Sequence, residues 1–524
     1  MMNFATLNDI LPYHVAARPD ATAIGTDDRH VSFRALEQCV NRIGNGLREL
    51  GVRPGDRVAC LTKHHTECLM LLLAACKIGA VCMPVNWRLS APEVEYVVNN
   101  GEARFLMVDA AFLPVVGQAQ LPGVLQTVCT EQDASGLPGF ASWYGGADAS
   151  LEAVPAEPGE TALQLYSSGT TGFPKGVELS HRALLSTCRT CADAWQFDGA
   201  GIFGNPLPTF HVAGIAMLLL PLYAGGRTVA FAEFDPSAFI ASIGRHGISH
   251  TFVVPAMLQF MLNAPNVAEG KFEGLRQIAY GGSPISERLL QDAMRVFQCG
   301  FLQVYGLTEV AGPATFLRSE DHEPGGPRAY LLRSAGQAVG GGRLRIVDPA
   351  TLEDAPDGEV GEIWIQSIRN FNGYWRNPEA TAEAFPHGRD AAGGWFRSGD
   401  IGYLKDGYLF IHDRVKDMII SGGENIYPAE VENIIMQHPA VADCAVFAVP
   451  DDKWGEAVKA AVVVRSGQAL EAQELITFVR ERMAHYKCPK TVDFAETLPR
   501  NPTGKLLKRV LRQPYWEGRD KLVS

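Results

Sequence analysis

The stretch Tyr166-Ser-Ser-Gly-Thr-Thr-Gly-Phe-Pro-Lys-Gly176 is the strongest local signal in the chain. Its three glycines let the backbone turn and bring its amide groups close to an anion. Hydroxyl side chains and one lysine add hydrogen-bond donors and a positive charge: Ser167, Ser168, Thr170, Thr171 and Lys175. Taken alone, the stretch is compatible with a phosphate-binding loop and with an ordinary surface loop.

This loop differs from the phosphate loop of nucleotide kinases, whose pattern is G-x-x-x-x-G-K-[ST]. Pro174 stands before Lys175 and Gly176 follows it, so the positions on both sides of the lysine depart from that pattern. An apolar run precedes the loop, and a helical pattern begins near Ser180. The sequence therefore predicts a strand, then the loop, then a helix.

Strand and helix patterns alternate outward from the loop, which indicates parallel α/β layers. The periods predict helices over 31–50 and 67–79 and strands over 57–61 and 81–85. From about residue 343, short strands separated by Gly, Asp and Pro predict a small all-β unit, and the alternation returns after Lys416. The Ala-, Gly- and Pro-rich segment 136–159 predicts a surface connection.

Composition sets the broad class. The chain has 524 residues, of which 47% are hydrophobic and 20% are charged, and this excludes disordered, collagenous and coiled-coil proteins. The net charge of −12 argues against a general nucleic-acid-binding protein. Eleven irregularly spaced cysteines predict reduced thiols in a cytoplasmic protein, and the pair Cys188 and Cys191 is interpreted as helix packing.

The chain also lacks the signals of export and membrane insertion. Residues 1–16 have no basic segment followed by an apolar one, so we expect no signal peptide. The most apolar stretch, 68–85, is interrupted by Lys77 and Pro84, so we expect no transmembrane segment.

The 166–176 loop resembles the phosphate loop of the adenylate-forming superfamily, which includes acyl-CoA synthetases, luciferases and the adenylation domains of peptide synthetases. Further motifs of that superfamily follow in its order, and the resemblance extends from Ala17 to Arg509. It implies a large N-terminal domain of layered α/β sheets with a small β-barrel-like subdomain, and a small mobile α+β C-terminal domain. The implied boundaries are 1–415 and 416–524, with a hinge at Lys416.

The resemblance assigns the nucleotide site. Tyr305-Gly-Leu-Thr-Glu309 looks like the motif whose aromatic stacks on adenine, whose threonine contacts phosphate and whose glutamate holds Mg²⁺. Asp400 matches the aspartate that accepts both ribose hydroxyls, although Ser398 replaces the commoner threonine, and Arg414 matches an arginine that also reaches the ribose. The implied ATP- and AMP-binding residues are Ser167, Ser168, Gly169, Thr170, Thr171, Gly172, Lys175, Gly281, Gly282, Ser283, Tyr305, Gly306, Thr308, Asp400 and Arg414, and the implied Mg²⁺ ligands are Glu309 and Thr170.

Pro499-Arg-Asn-Pro-Thr-Gly-Lys505 resembles the final motif, whose lysine catalyses adenylation. A carboxylate attacking the α-phosphate brings two anions together, and an ammonium group offsets their repulsion as charge develops. The resemblance therefore gives Lys505, Glu309, Thr308 and His211 as the catalytic group.

The acyl pocket and the thiol site are also assigned by resemblance. Pro206-Leu-Pro-Thr-Phe-His211-Val-Ala-Gly214 looks like the segment whose histidine gates the passage between the acid pocket and the pantetheine tunnel and does not act as a base. The implied acyl-pocket residues are His211, Val212, Gly214, Ala311 and Gly312, and the implied CoA-binding residues are Arg88, Ser421, Gly422, Gly423, Trp454, Tyr486 and Lys490. The last group is also compatible with a plain basic surface, and Cys488 stands where some relatives carry a base.

The implied reaction joins a carboxylic acid to CoA at the expense of ATP, through an acyl-adenylate, with Mg²⁺ as the metal. The apolar segments beside His211 favour an apolar acid, and we expect a medium- to long-chain fatty acid. An aryl carboxylate–CoA ligase, an acyl-AMP ligase acting on a carrier protein and a luciferase-like oxygenase stay open. A catalytically inactive binding protein would be expected to lack Lys505, Glu309 or Asp400, all of which are present. A homodimer is compatible with the resemblance, and the sequence does not fix the oligomeric state.

Overall fold

The computed structural model describes residues 3–131, 136–167, 174–349, 351–356, 358–414, 417–421, 424–451, 453–500 and 506–517. Of residues 413–414 and 424–425 it describes the backbone alone. The predicted α/β class, with a large N-terminal and a small C-terminal domain, is confirmed.

Two mixed sheets carry the large domain in its described part. The first has nine strands in the order β15-β14-β13-β12-β11-β9-β10-β1-β2, and its central strands run parallel. Its strands are β1 Thr22–Gly25, β2 His30–Ser32, β9 Ile202–Asn205, β10 Arg227–Ala230, β11 His250–Val253, β12 Gln277–Gly281, β13 Gly300–Leu307, β14 Gly312–Leu317 and β15 Gln337–Ala338.

The second sheet has seven described strands in the order β18-β8-β7-β4-β3-β5-β6. Strands β4, β3, β5, β6 and β7 run parallel, whereas β7, β8 and β18 form an antiparallel edge. Its strands are β3 Arg57–Leu61, β4 Val81–Pro84, β5 Ala103–Val108, β6 Gln126–Cys129, β7 Thr161–Ser167, β8 Lys175–Ser180 and β18 Gly373–Tyr374.

Helices pack against these sheets and between them. The helices of the large domain are α1 Ile10–Ala17, α2 Phe33–Glu49, α3 His65–Lys77, α4 Ala91–Asn100, α5 Leu113–Val116, α6 Phe140–Gly145, α7 His181–Trp195, α8 Val212–Ala224, α9 Pro236–His246, α10 Pro255–Leu262, α11 Glu287–Phe297 and α12 Pro378–Ala384. Side chains of α2, α3, α7 and α8 join both sheets in one continuous apolar core. Burial of this core is the main force that fixes the two sheets relative to each other.

The predicted small β unit is a four-stranded antiparallel sheet in the order β16-β17-β19-β20. Its strands are β16 Arg343–Val347, β17 Gly361–Gln366, β19 Trp395–Lys405 and β20 Tyr408–Arg414. A bridge between Gly336 and Leu409 connects it to the segment that leads into the nine-stranded sheet.

The C-terminal part builds a sheet and a core of its own. Its described strands are β21 Ile419–Ser421, β22 Glu424–Ile426, β23 Val441–Asp451, β24 Gly455–Val464 and β25 Thr491–Phe494, and its helices are α13 Pro428–Ile435, α14 Ala472–Arg480 and α15 Lys508–Trp516. Helices α13 and α14 close one apolar cluster of this sheet.

Most of the predicted elements are close to the observed ones. Strand β3 has the predicted bounds, and α3 and β4 differ from theirs by one or two residues. Helix α2 starts two residues late because Val31 belongs to β2 and the Ser32 hydroxyl accepts the Ala35 amide as a helix cap. The segment 136–159 is mostly exposed or partly exposed, as expected of a surface connection, but it also contains α6, whose Phe140 and Tyr144 are buried.

The cysteines are free thiols, and Cys188 and Cys191 are buried on α7 as predicted. In the described ranges, no helix combines the length and the apolar character needed to cross a bilayer.

Candidate active site

The phosphate-loop stretch is held by a β-hairpin. Its strands β7 and β8 pair antiparallel, with Ser167 opposite Lys175. The predicted strand before the loop and the helix near Ser180 are confirmed, since α7 begins at His181 with the Ser180 hydroxyl as its cap, but strand β8, which separates the loop from this helix, was not predicted. Ser168, Gly169, Thr170, Thr171 and Gly172 lie outside the described residues.

Helix α4 anchors both ends of this hairpin. The Tyr96 hydroxyl donates to the Pro174 carbonyl (3.3 Å), and the Tyr166 hydroxyl donates to Asn100 Oδ1 (2.7 Å). The Asn100 carbonyl in turn accepts the Trp375 indole N–H at 3.0 Å. The loop is therefore mounted on a stem whose polar groups are fixed by partners distant in sequence.

The buried side chain of Arg57 connects the two strands of the same hairpin. The Arg57 guanidinium stacks on the Trp375 ring, 3.3 Å from the centroid. It also donates to Gln164 Oε1 (2.9 Å) on β7 and to Glu178 Oε1 (2.8 Å) on β8. One planar cation thus connects both hairpin strands to the segment that carries β18, a geometry suited to arginine.

The segment from Tyr305 to Gly312 makes a tight reversal between β13 and β14. A Cβ atom on Gly306 would lie 1.8 Å from the Gly312 carbonyl oxygen, so glycine is required there. Ala311 has the left-handed φ of 54°, and its carbonyl accepts the Thr187 hydroxyl of α7 at 2.9 Å. This reversal places Thr308 and Glu309 in one short helical turn beside the hairpin.

Tyr374 contacts both Glu309 and Lys175. The Tyr374 hydroxyl donates to Glu309 Oε1 at 3.1 Å, and Lys175 Nζ lies 5.0 Å from the centroid of the Tyr374 ring. Burial, and then the nearby Glu309 charge, raise the pKa of Tyr374 well above its usual value, so the hydroxyl stays protonated and donates. The residues predicted for the metal and for the phosphates are therefore neighbours.

These residues fit a Mg²⁺ ion delivered with ATP. Mg²⁺ is commonly held by one or two carboxylates together with phosphate oxygens and water. Glu309 offers such a carboxylate beside the phosphate-loop hairpin. In the described part of the chain, no group of three or more His, Cys, Asp or Glu side chains is placed to hold a metal ion. The donor set thus suits a metal bound mainly through the nucleotide.

Asp400 and Tyr305 touch across two sheets. The Tyr305 hydroxyl, at the end of β13, donates to Asp400 Oδ2 on β19 at 2.7 Å. Arg414 is the backbone partner of Asp400 in the register of β19 and β20, and its side chain lies outside the described groups. The structure therefore brings the residues predicted for adenine and for ribose together.

The part of strand β19 that carries Asp400 rests on the buried carboxylate of Glu362. Glu362 accepts the Gly399 amide (3.2 Å), the Trp364 indole N–H (3.0 Å) and the Arg397 guanidinium (2.9 Å). The Ser398 hydroxyl, which replaces the commoner threonine, donates to the Ile363 carbonyl at 2.6 Å. Serine in place of threonine therefore keeps the hydroxyl that makes this hydrogen bond.

The predicted adenine segment follows β12. A Cβ atom on Gly281 would lie 2.2 Å from the Val304 carbonyl oxygen of the neighbouring strand, and Gly282 has a φ of 83°. Ser283 comes next in the same turn and is partly exposed. The turn lies at the carboxyl end of a parallel strand, where open α/β sheets bind their ligands.

His211 lies at the start of α8, beside an apolar helix. Its Nε2 atom is buried and has no hydrogen-bond partner among the described residues. Burial, reinforced by the Arg88 charge, lowers the pKa of His211 to about 3, so the imidazole is neutral at physiological pH. A neutral ring of such low basicity is consistent with the predicted role as a gate rather than a base.

The other predicted acyl-pocket residues belong to two segments of the chain. Val212 and Gly214 lie in the first turn of α8, and a Cβ atom on Gly214 would lie 2.0 Å from the Pro208 carbonyl oxygen. Ala311 and Gly312 belong to the reversal after Glu309, and Ala311 lies in the same apolar core cluster as α8. Strand β14, which begins at Gly312, contacts α8, and the assignment of these two segments to an acyl pocket stays a prediction.

Arg88, predicted to contact CoA, lies on the same side as His211. Its guanidinium is 4.1 Å from the Trp87 ring centroid and 5.7 Å from that of Phe210, whose ring is 4.3 Å from His211. Burial lowers the pKa of Arg88 from its usual value. Lys63 adds a second cation 4.7 Å from the Trp87 ring.

The small domain presents the remaining thiol-site residues on its surface. Ser421 of β21 pairs with Gly455 of β24, so the exposed Trp454 lies next to the end of β21. Lys453 and Lys490 lie 4.7 and 5.4 Å from the Trp454 ring centroid. Tyr486 is also exposed, but none of its described contacts reaches Trp454.

Four predicted residues of the small domain and its hinge are outside the described residues: Lys416, Gly422, Gly423 and Lys505. Their assignments stay predictions. Arg500 and Leu506, on either side of the final motif, are joined by an isolated bridge.

Comparisons with known proteins identify the family. The family model described as AMP-binding enzyme matches residues 11–375, and the model of the AMP-binding enzyme C-terminal domain matches residues 430–505. The chain belongs to the AMP-binding enzyme family. Like its named relatives, this AMP-binding enzyme is an AMP-forming ligase that joins a carboxylic acid to a thiol.

Relatives of known name span its full length. A fatty acid–[acyl-carrier-protein] ligase of Streptomyces coeruleorubidus is 37% identical over 519 residues, 98% of this chain and 96% of that protein. A long-chain-fatty-acid–CoA ligase of Mycobacterium tuberculosis is 37% identical over 511 residues, 96% of each chain. The solved anthranilate CoA ligase in complex with anthranoyl-AMP superposes with a TM-score of 0.88, covers 98% of each chain and is 27% identical.

Two residues of the AMP-binding enzyme's site were missed by the sequence analysis. Tyr374 contacts both Glu309 and Lys175, and Glu362 supports the part of β19 that carries Asp400. Tyr374 is far from the loop and from Glu309 in sequence, and the signal that could have marked it is the Gly373-Tyr-Trp375 triplet. Glu362 carried no signal, because a carboxylate in a strand is ordinarily a solvated one.

Proposed function

We propose that this enzyme activates a medium- to long-chain fatty acid with ATP and transfers the acyl group to CoA. The observation that supports an apolar acid is helix α8, because none of its thirteen residues Val212–Ala224 carries a charge and all but Tyr223 are apolar or glycine. The helix starts at His211 and shares one apolar core with the reversal that contains Ala311. Binding of a methylene chain is favoured by apolar surroundings, because each CH₂ removed from water contributes about 0.8 kcal/mol of binding free energy.

In the first half-reaction, the carboxylate attacks the α-phosphorus of ATP, and the bond to pyrophosphate breaks. Asp400 and Tyr305 position the ribose and the base, while Lys175 and the phosphate-loop amides hold the phosphates. Glu309 holds Mg²⁺, which neutralises charge on the phosphates when it is bound. Lys505 offsets the repulsion between the two reacting anions.

In the second half-reaction, the thiolate sulfur attacks the acyl carbonyl, and the bond to AMP breaks. Rotation of the small domain about Lys416 replaces Lys505 with the 421–423 loop and forms the pantetheine tunnel. His211 is neutral, and its Nε2 has no hydrogen-bond partner within the described ranges, so the ring moves aside to open the passage. Glycine at 422 and 423 allows a thin thiol chain to pass close to the backbone.

The proposal of CoA as acceptor is supported by the Trp454 surface. An exposed indole with two lysines beside it offers a ring for adenine and cations for its phosphates. A carrier protein is the second candidate, because the Streptomyces relative that covers nearly the whole chain is named as an acyl-carrier-protein ligase. A carrier brings the same pantetheine thiol without the nucleotide.

A screen of pyrophosphate release tests the proposal. The purified full chain is supplied with ATP, Mg²⁺ and acids from C2 to C20, benzoates or cinnamates, each with CoA, with a carrier protein or with neither. We expect turnover that peaks among aliphatic acids and requires CoA. A peak among aromatic acids would replace the fatty acid by an aryl substrate, and turnover that requires the carrier would replace CoA.

A further inference from the structure

Tyr374 stands between the two charged residues assigned to the phosphates and the metal. Its hydroxyl donates to Glu309 Oε1 at 3.1 Å, and its ring faces Lys175 Nζ at 5.0 Å from the centroid. The two contacts use different parts of the side chain, the hydroxyl and the ring. Their effects can therefore be removed one at a time.

The backbone of Tyr374 is fixed on several sides. Strand β18 pairs with β8, with Tyr374 opposite Val177, and the Tyr374 amide donates to Thr381 Oγ1 at 2.9 Å. Two residues before Tyr374, the Asn372 amide donates to the Glu178 carbonyl of β8 at 2.7 Å. The hydrogen bonds between the two segments therefore extend beyond β18. The tyrosine is thus held by the same hairpin that carries the phosphate loop.

The backbone of Glu309 is also hydrogen-bonded to the segment that carries Tyr374. The Phe371 amide donates to the Glu309 carbonyl at 2.8 Å, and the Phe371 ring packs on the Tyr374 ring at 4.8 Å. Backbone and side chain of Glu309 are therefore both held from the segment 371–374. Such support favours cation binding, because the carboxylate is already oriented before the cation binds.

We propose that Tyr374 is a positioning residue for adenylation: its hydroxyl orients the Glu309 carboxylate toward the Mg²⁺ of Mg·ATP, and its ring holds the Lys175 ammonium beside the phosphates. The proposal rests on the roles proposed above for Glu309 and Lys175. It does not depend on which acid or thiol the enzyme uses.

Equilibrium binding of ATP to the full chain, without acid or CoA, tests both parts at rising Mg²⁺ concentration. Tyr374→Phe removes the hydroxyl and keeps the ring, so we expect the half-saturating Mg²⁺ concentration to rise about 5- to 10-fold. ATP affinity at saturating Mg²⁺ should change less than about twofold, because the Lys175 contact with the ring is kept. Tyr374→Leu removes the ring as well, and we expect a further 2- to 5-fold loss of ATP affinity at saturating Mg²⁺.

Tyr408→Phe is the matched control. The Tyr408 hydroxyl also donates to a carboxylate, Asp321 (3.1 Å), but at the end of β20 opposite to Arg414. This variant should leave the Mg²⁺ dependence unchanged. Thermal unfolding of each variant establishes that it is folded, and Tyr374→Phe carries the test alone if Tyr374→Leu does not fold.

Glu309→Gln separates failure of this proposal from failure of the assigned site. If Glu309→Gln raises the Mg²⁺ requirement while Tyr374→Phe leaves it unchanged, the positioning role is overturned and the assigned site stands. If Glu309→Gln leaves the Mg²⁺ requirement unchanged, the assignment of Glu309 fails and the positioning role falls with it. A shift in both, with none in Tyr408→Phe, supports the proposal.

Discussion

The nucleotide half of the site and the thiol half are built differently. In the large domain, Glu309, Asp400 and the hairpin stem each have partners from distant segments, such as Tyr374 and Tyr305. In the small domain, Trp454 and Tyr486 are exposed, and the lysines beside them, Lys453, Lys490 and Lys487, contact them only at the faces of the rings. One half is organised before any ligand arrives, whereas the other presents a surface.

This difference follows from the two reactions. Adenylation needs charges held in place around ATP, and preorganised groups are worth most where charge develops. In the proposed mechanism, the thiol site acts only in the second step and assembles against the large domain. We therefore expect substitutions in the nucleotide half to act on adenylation, and substitutions in the thiol half to act on thioester formation alone.

The sharpest test of this division is Lys505→Ala. Loss of the ammonium that offsets the repulsion between carboxylate and phosphate should lower pyrophosphate release by about 100-fold or more. Thioester formation from a supplied acyl-adenylate should be much less affected, which a rapid-quench assay measures. Arg509→Ala, which removes an exposed cation four residues later, is the control. Equal loss in both half-reactions would contradict the role of Lys505.

Asp400→Asn tests whether the nucleotide half depends on its charge. The amide can still accept the Tyr305 hydroxyl, so the contact between β13 and β19 is kept, while the charged acceptor for the ribose is lost. Because hydrogen bonds to charged groups are the stronger ones, we expect the KM for ATP to rise roughly 10- to 30-fold. Asp321→Asn removes a carboxylate that also accepts a tyrosine hydroxyl, and it should leave this KM unchanged. An unchanged KM in Asp400→Asn would remove the ribose assignment.

Sequence reasoning reached the parts of this site that lie within single motifs. The strand before the phosphate loop, the start of a helix near Ser180 and the strand Arg57–Leu61 follow from local periodicity. The pairing of Tyr305 with Asp400 was implied only as a shared ligand, and the direct hydrogen bond between them became visible in the structure.

The remaining contacts could not be predicted, because they depend on which sheet edges meet. Tyr374 reaches Glu309 only because β18 adds to the edge of β8, and a two-residue strand has no periodicity to detect. Phe140 and Tyr144 are buried because a short helix closes over β5 and β6, although their surroundings are rich in Gly and Ala. Tertiary contacts decided these positions over local composition.

In the thiol half, Trp454→Ala should affect the second reaction alone. Loss of a stacking surface for a base costs about 1–3 kcal/mol, so we expect the KM for CoA to rise about 5- to 10-fold or more. Pyrophosphate release without CoA should be unchanged. Phe494→Ala removes another exposed aromatic of the same domain and should leave the KM for CoA as it is. A Trp454→Ala enzyme that lost adenylation equally would show that the two halves are not separate.

The smallest expected effect concerns His211, the proposed gate between the acid pocket and the pantetheine tunnel. Burial lowers its pKa to about 3 from an ordinary 6.5, so the imidazole stays neutral between pH 5 and 8 and should add no inflection to the pH profile of kcat/KM. Its effect on stability has a definite sign: below about pH 6.5 only the unfolded chain protonates this ring, so stability falls as pH falls, by about 1.4 kcal/mol per pH unit. His211→Gln should therefore lessen the acid sensitivity of unfolding and leave the pH profile of pyrophosphate release unchanged. A profile whose inflection near pH 6.5 vanished in His211→Gln would instead make this residue a titrating base, and the proposed neutral gate would have to be abandoned.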